Sequence, residues 1–231
     1  MSAAVKVLSA GAVRRGVTEV AQRYESVSGA RVEMDFSSAP KVRARVAAGE
    51  QADVVIASSV ALDALAQEAR ITGDRATLGR SRMVVMIRKG AAAPDLSSTQ
   101  AFVKALMEAD FVLNNQGSSG IYAEKLIDRL DLRAKLGKKF RTVQNGNEMV
   151  QILESHAGRA LGLAQISNLI DQVGRGKAVE LAGFFPAEIQ NGTLYQAALA
   201  SGSAEAKLAM GLVRAFESAE ARKLLAASGL D

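Results

Sequence analysis

Apolar and polar positions along this chain switch between two periods, and the switching predicts strands and helices in turn. Val5-Lys6-Val7-Leu8 reads as a strand; Val13, Val17, Val20, Tyr24 and Val27 then recur at helical spacing until Gly29, a residue suited to close a helix. The unit repeats. Arg31-Val32-Glu33-Met34-Asp35-Phe36 alternates polar and apolar, and Pro40 falls in the first turn of a helix that stops at Gly49. Asp53-Val54-Val55-Ile56-Ala57 reads as a short buried strand, and Leu62, Leu65 and Ala66 share one face of a third helix over residues 60–69. This alternation predicts an α/β fold with a mostly parallel sheet.

A second α/β cluster opens at Arg82-Met83-Val84-Val85-Met86-Ile87. It continues through a helix over residues 99–107, the strand Phe111-Val112-Leu113, a helix over 120–131, a strand over 140–143, a helix over 147–155 and a strand over 160–164. Gly183-Phe184-Phe185-Pro186 breaks the pattern. A strand over 193–199 and helices over 204–216 and 219–227 close the chain, and no linker, low-complexity tract or internal repeat interrupts it.

At 231 residues with 48% hydrophobic content, the chain can fill one large domain or two small lobes. Charged or amide side chains interrupt every apolar run before it reaches the ~18 residues of a membrane span, so no membrane insertion is expected. The opening Met1-Ser2-Ala3-Ala4 runs straight into a strand pattern without the features of a secretory signal. The expected location is therefore the periplasm if a signal has been removed, and the cytoplasm otherwise. There is no cysteine, which excludes disulfides, thiolate catalysis and thiolate-bound zinc. The net charge of +5 is spread along the chain and is not interleaved with stacking aromatics, which argues against a nucleic-acid partner and weakly favours an anionic one.

Four short stretches carry the candidate chemistry: Ala10-Gly11-Ala12-Val13, Phe36-Ser37-Ser38-Ala39-Pro40, Gln116-Gly117-Ser118-Ser119-Gly120 and Gln144-Asn145-Gly146-Asn147. Each joins a predicted strand to a predicted helix, where unpaired N–H groups and the positive end of the helix dipole suit an anion. A lone serine at such a place is ordinarily a helix cap. Paired serines at two junctions, Ser37-Ser38 and Ser118-Ser119, offer a second hydroxyl beyond what a cap needs. Gly117-Ser118-Ser119-Gly120 lacks the lysine of a nucleotide phosphate loop, no nucleophile elbow is present, and the single histidine, His156, has no partners for a metal. No metal or cofactor is expected. Arg82, opening the strand where the chain would first pass between lobes, is the cation best placed to clamp a carboxylate.

With these elements in place, the chain resembles the molybdate-binding receptors of ABC importers. The resemblance rests on Ser9-Ala10-Gly11-Ala12-Val13, Phe36-Ser37-Ser38, the run from Gly49 to Ala57 with Asp53, the run from Arg82 to Gly90, Gly120-Ile121-Tyr122-Ala123 and the run from Arg159 to Gln165. It implies the two-lobed type 2 periplasmic binding protein fold, with the ligand cleft between lobes and a segmentation of 1–82, 83–189 and 190–231. It also implies a monomer that serves an ABC permease and holds its ligand at Ala12, Ser38, Ser119, Asn147 and Gln165. Two matched positions depart from the family pattern: Ala12 has no hydroxyl, and Gln165 places an amide where a phenol is expected. These departures point away from molybdate or tungstate and toward a carboxylate.

Three readings follow from the resemblance: a receptor for an organic anion or oxyanion, a molybdate or tungstate receptor, and an isomerase of a tricarboxylate like the aconitate-isomerising offshoot of the family. The last needs a proton acceptor, for which Glu148, Lys41 or a neighbouring hydroxyl are the candidates, with no catalytic residue marked out by spacing.

Overall fold

The computed structural model describes residues 4–231. In chain order, β1 (Ala4–Ala10) leads through a 3-10 turn into α1 (Arg14–Ser28), followed by β2 (Arg31–Ser37), α2 (Ala39–Ala47), β3 (Val54–Ser58), α3 (Ser59–Gln67) and the long β4 (Ile71–Arg88). Next come α4 (Thr99–Glu108), β5 (Phe111–Asn115), α5 (Ser118–Arg129), the single turn α6 (Arg133–Leu136), β6 (Phe140–Val143), α7 (Gly146–Ser155), β7 (Ala160–Gln165) and α8 (Ile166–Gly174). The chain closes with β8 (Val179–Phe184), β9 (Gly192–Ala200), α9 (Ala206–Ala215) and α10 (Ala219–Ala227).

The elements form two compact units, residues 1–81 with 193–231 and residues 82–192. The divisions fall inside β4, between Ser81 and Arg82, and at the start of β9, between Gly192 and Thr193. Both units are α/β, as the alternation predicts.

In the first unit β1 lies between β2 and β3, parallel to both, and β9 runs antiparallel beside β3. Every residue of β3 is buried, which is what a strand covered by helices on both faces requires and why its sequence is a continuous apolar run. Helix α1 ends where Gly29 takes a left-handed conformation (φ 70°), and the Tyr24 hydroxyl on its last turns donates to the Leu208 carbonyl of α9 at 2.8 Å.

Asp53, ahead of β3, is a buried carboxylate with a structural task. Its Oδ2 accepts the Lys6 N–H at 2.8 Å, and its Oδ1 accepts the Ser203 hydroxyl at 2.7 Å and the Glu205 N–H at 3.3 Å. Burial pushes the Asp53 carboxyl up, but these bonds outweigh burial and hold it below its ordinary value. The side chain thus ties the start of β3 to β1 and to the turn that enters α9.

In the second unit the strand order is β8, β4, β7, β5, β6, with β5 parallel to β6 and β7, and β4 antiparallel to β7 and β8. Alternation along β4 sends Met83, Val85 and Ile87 to one face, where they pack with Phe102 and Leu106 of α4 and Leu126 and Ile127 of α5. Met86 faces the other way, toward Leu113, Met149, Val150 and Leu153. Burying a side chain the size of Phe102 contributes about 1.5 to 3 kcal/mol, so each face has ample driving force to hold its helices.

Several elements differ from the sequence expectation. The strand expected to open at Arg82 begins at Ile71, and α8 and β8 were not foreseen. Helix α5 starts at Ser118, not Gly120, which puts Ser118 and Ser119 inside its first turn.

Candidate functional site

In each unit the residues singled out from sequence gather at the carboxyl edge of the parallel strands, where strand gives way to helix. This edge is the usual location of ligand contacts in α/β sheets.

In the first unit Ala10 and Ser37 are register partners at the ends of β1 and β2, so the Gly11–Val13 turn carrying Ala12 and the Ser37-Ser38 corner are neighbours. Ser38 is the N-cap of α2: its hydroxyl oxygen accepts the Lys41 N–H at 3.4 Å, and Pro40 occupies the first turn, where no N–H is needed. The hydroxyl proton is not used by that bond. The Arg14 guanidinium lies 3.9 Å from the centre of the Phe36 ring, a cation–π contact beside the same corner. A third junction, Ser58-Ser59 at the end of β3, shares this edge and was missed, since Ser58-Ser59 interrupts an apolar pattern that otherwise reads straight through. Arg43, on α2 beyond the Ser37-Ser38 corner, pairs with Glu68 at 2.6 Å.

In the second unit Asn115, the last residue of β5, organises the serine loop. Its Oδ1 accepts the Gly117 N–H at 2.7 Å and its Nδ2 donates to the Ser119 hydroxyl oxygen at 3.2 Å. The first helical bond of α5 runs from Ile121 N–H to Gly117 O, so the N–H groups of Ser118, Ser119 and Gly120 precede the helical ladder. Gly120 is obligatory: a Cβ there would come within 1.4 Å of the Asn115 carbonyl oxygen. Ser118 is half-buried and Ser119 buried. Sequence reading overlooked Asn115, although an Asn two residues before a glycine is the signature of an Asx turn.

At the next junction Asn145, not Asn147, is the functional cap of α7. Asn145 Oδ1 accepts the N–H groups of Asn147 (3.0 Å) and Glu148 (3.1 Å), while Glu148 Oε2 accepts the Gln144 N–H at 2.7 Å, a reciprocal capping box. Asn147 is exposed, and its side-chain oxygen accepts from Gln172 Nε2 at 2.8 Å and Arg175 Nη1 at 3.5 Å. Gln165 ends β7 opposite Met83 and is buried at the N-cap position of α8. Arg82 is exposed, with its guanidinium 4.5 Å from the centre of the Phe184 ring.

Two groups near this edge are structural. The Tyr122 hydroxyl donates to the Ile189 carbonyl at 2.7 Å. Glu124 on α5 accepts from Asn114 Nδ2 of β5 (2.8 Å) and from the Thr142 hydroxyl of β6 (2.7 Å). Burial pushes the Glu124 carboxyl up, and these bonds with Arg133 hold it below the ordinary value. His156 lies at the far end of the sheet and pairs with Asp110 at 2.8 Å. Among the described residues no group of His, Asp and Glu side chains is arranged to hold a metal ion, and no helix is long and apolar enough to cross a membrane.

The chain belongs to a family of bacterial extracellular solute-binding proteins, whose model matches residues 5–231. It is 31% identical over 233 residues to an aconitate isomerase of Pseudomonas sp., a match covering 97% of this chain and 86% of that protein. Its fold is that of the periplasmic molybdate-binding protein of Azotobacter vinelandii (19% identity, 98% of both chains, TM-score 0.81). It is likewise that of the sulfate-binding protein of Mycobacterium tuberculosis (15% identity, 99% of this chain and 86% of that one, TM-score 0.79). The type 2 periplasmic binding protein fold expected from the sequence is the fold observed.

Proposed function

We propose that this solute-binding protein is a receptor for a small organic anion bearing more than one carboxylate, which it presents to an ABC permease from the extracytoplasmic side. The observation that carries the reading is the chemistry of the two carboxyl edges. Both present hydroxyls and helix N-termini, Ser37 and Ser38 on one unit and Ser118 and Ser119 on the other, and neither presents an acidic side chain at those serine corners. Ala12, Asn147, Gln165 and Arg82 complete the proposed set of ligand-binding residues. Each charge-assisted hydrogen bond to a carboxylate contributes about 1.5 to 3 kcal/mol, so four such bonds are enough for micromolar affinity after the costs of association. The missing hydroxyl at Ala12 and the amide at Gln165 disfavour a compact tetrahedral dianion, which needs every donor close in. The relative named for aconitate, a tricarboxylate, supports an organic ligand over molybdate or sulfate.

The same relative is the specific reason to keep isomerisation of a tricarboxylate as a second reading. Against it, Glu148, the carboxylate candidate for proton removal, already accepts the Gln144 N–H as part of a helix cap. Calorimetry with citrate, trans-aconitate, molybdate and sulfate separates these readings, with NMR of the aconitate mixture to detect conversion between isomers. Binding of a tricarboxylate without conversion is the expected result. Ser38→Ala should weaken it about tenfold or more, the cost of leaving a bound carboxylate one donor short. Tight molybdate binding with no carboxylate binding would overturn the proposal, and catalytic conversion would establish the second reading.

A further inference from the structure

The second unit holds a cavity of about 510 Å³ that the carboxyl edges do not use. It lies at the other end of the sheet, between the end of β4, the loop after it, one face of α4, and the loop of residues 157–159 that enters β7. The six residues of β7, at about 3.3 Å each, put roughly 17 Å between this cavity and Gln165. Its size is that of a small-molecule site, about 300 to 1,000 Å³.

The walls are built and fixed. A run of small side chains, Ala91 to Ala93 followed by Pro94, faces Ala101 and Ala105 of α4, so the lining is largely methyl groups. The 157–159 loop is fastened at both sides to one carboxylate: Asp110 Oδ2 takes the His156 ring at 2.8 Å and the Arg159 N–H at 2.9 Å. Gly158 passes so near that a Cβ there would approach the Asp110 oxygen to 2.1 Å. Such a wall is preformed and needs no ordering by a ligand.

The charged groups around the cavity do not balance. Glu108 is shared by Arg159 at 3.4 Å and Lys104 at 3.8 Å, and Asp95 accepts the Ser97 N–H at 2.9 Å. Arg88 is half-buried, and its side chain donates from Nε to the His156 carbonyl at 3.1 Å. That bond leaves both Nη groups of an oriented guanidinium without a carboxylate. We propose that this cavity is a second ligand site, for a small monocarboxylate with an aliphatic body, the carboxylate held by Arg88 and the body lying against the alanine walls. Arg88, Lys104 and Arg159 against Asp95 and Glu108 leave an excess of one positive charge around the cavity, which a single carboxylate balances. The site therefore suits a singly charged ligand and does not depend on the proposal for the carboxyl edges.

The test is a two-dimensional NMR titration of the ¹⁵N-labelled protein with octanoate, using octanamide as the uncharged control. Saturable shifts are expected for amides of residues 88–95, 101–108 and 157–160 with octanoate, at least tenfold weaker with octanamide. Arg88→Gln should weaken octanoate binding at least tenfold while leaving amides of the first unit in place. Ala101→Trp, which fills the cavity from a half-buried helix position and keeps Arg88, should abolish the shifts and covers the case in which Arg88→Gln does not fold. Equal binding of octanoate and octanamide, shifts confined to residues around Ser38 or Ser119, or the absence of saturation up to the solubility limit of octanoate would each overturn the proposal.

Discussion

Replacing Asp53 by asparagine removes one charge and exchanges one oxygen for an NH₂ group inside a buried clasp. The replacement retains one good acceptor, which can keep the Lys6 N–H, and its NH₂ can turn toward the Ser203 hydroxyl, which can rotate to accept. The Glu205 N–H is then left facing a donor. Losing the charge assistance on two bonds, at about 1 kcal/mol each, and leaving one N–H poorly satisfied, at about 1 to 2 kcal/mol, gives a cost of roughly 3 to 4 kcal/mol. For a chain of this length that is a drop of about 6 to 16 °C in melting temperature, readable by differential scanning calorimetry. The pH dependence supplies an independent check. The Asp53 carboxyl is depressed in the folded protein, so its contribution is fully present above the unfolded carboxylate value, near 3.8, and is lost as pH falls through the lower folded value. The gap between the two proteins should be constant near neutrality and shrink in acid, because the other carboxylates are common to both. An unchanged melting temperature, or a gap that widens in acid, would refute the clasp.

Gly120→Ala should cost more than about 3 kcal/mol, because the new Cβ collides with backbone and not with a movable side chain; loss of dispersed amide signals from α5 would show it. Asn145→Ala should lower stability by about 1 kcal/mol in urea unfolding, the usual loss for an N-cap, because it frees the Asn147 and Glu148 N–H groups. Tyr122→Phe should lose about 1 kcal/mol of stability with citrate binding unchanged, since its hydroxyl is spent on the Ile189 carbonyl.

Much of this arrangement was legible because burial on one or both faces leaves a periodic trace. Strands β1, β2, β3 and β5 and helices α1, α2, α4 and α7 were readable from their periods, and so were the junctions that bear Ser38 and Ser119. The first half of β4 was not, since Gly73, Asp74, Gly79 and Arg80 break the two-residue period over a stretch where several side chains face water. Helix α8 escaped because its buried face includes Asp171 and Gln172, polar residues that hide an apolar stripe. At the site, the hydroxyl residues could be found from their place in the pattern. Which amide caps a helix could not, because Asn145 and Asn147 are equivalent in composition and only the backbone geometry at Asn145 turns its oxygen onto the N–H groups. Asn115 shows the same limit: its role exists only after the Gly117 turn has formed.

The first unit is discontinuous, and that has a consequence for the order in which the chain can mature. All of residues 82–192 leave the ribosome before β9, α9 and α10 exist, so the second unit is available to fold as one uninterrupted stretch of polypeptide. Strand β3 meanwhile waits without its antiparallel neighbour, and Asp53 waits without Ser203 and Glu205. In most two-domain chains the amino-terminal domain folds first during synthesis. Here the first unit completes its fold last, and the β9-facing edge of an apolar strand, paired on its other side with β1, stays open for the whole time that the second unit is being made.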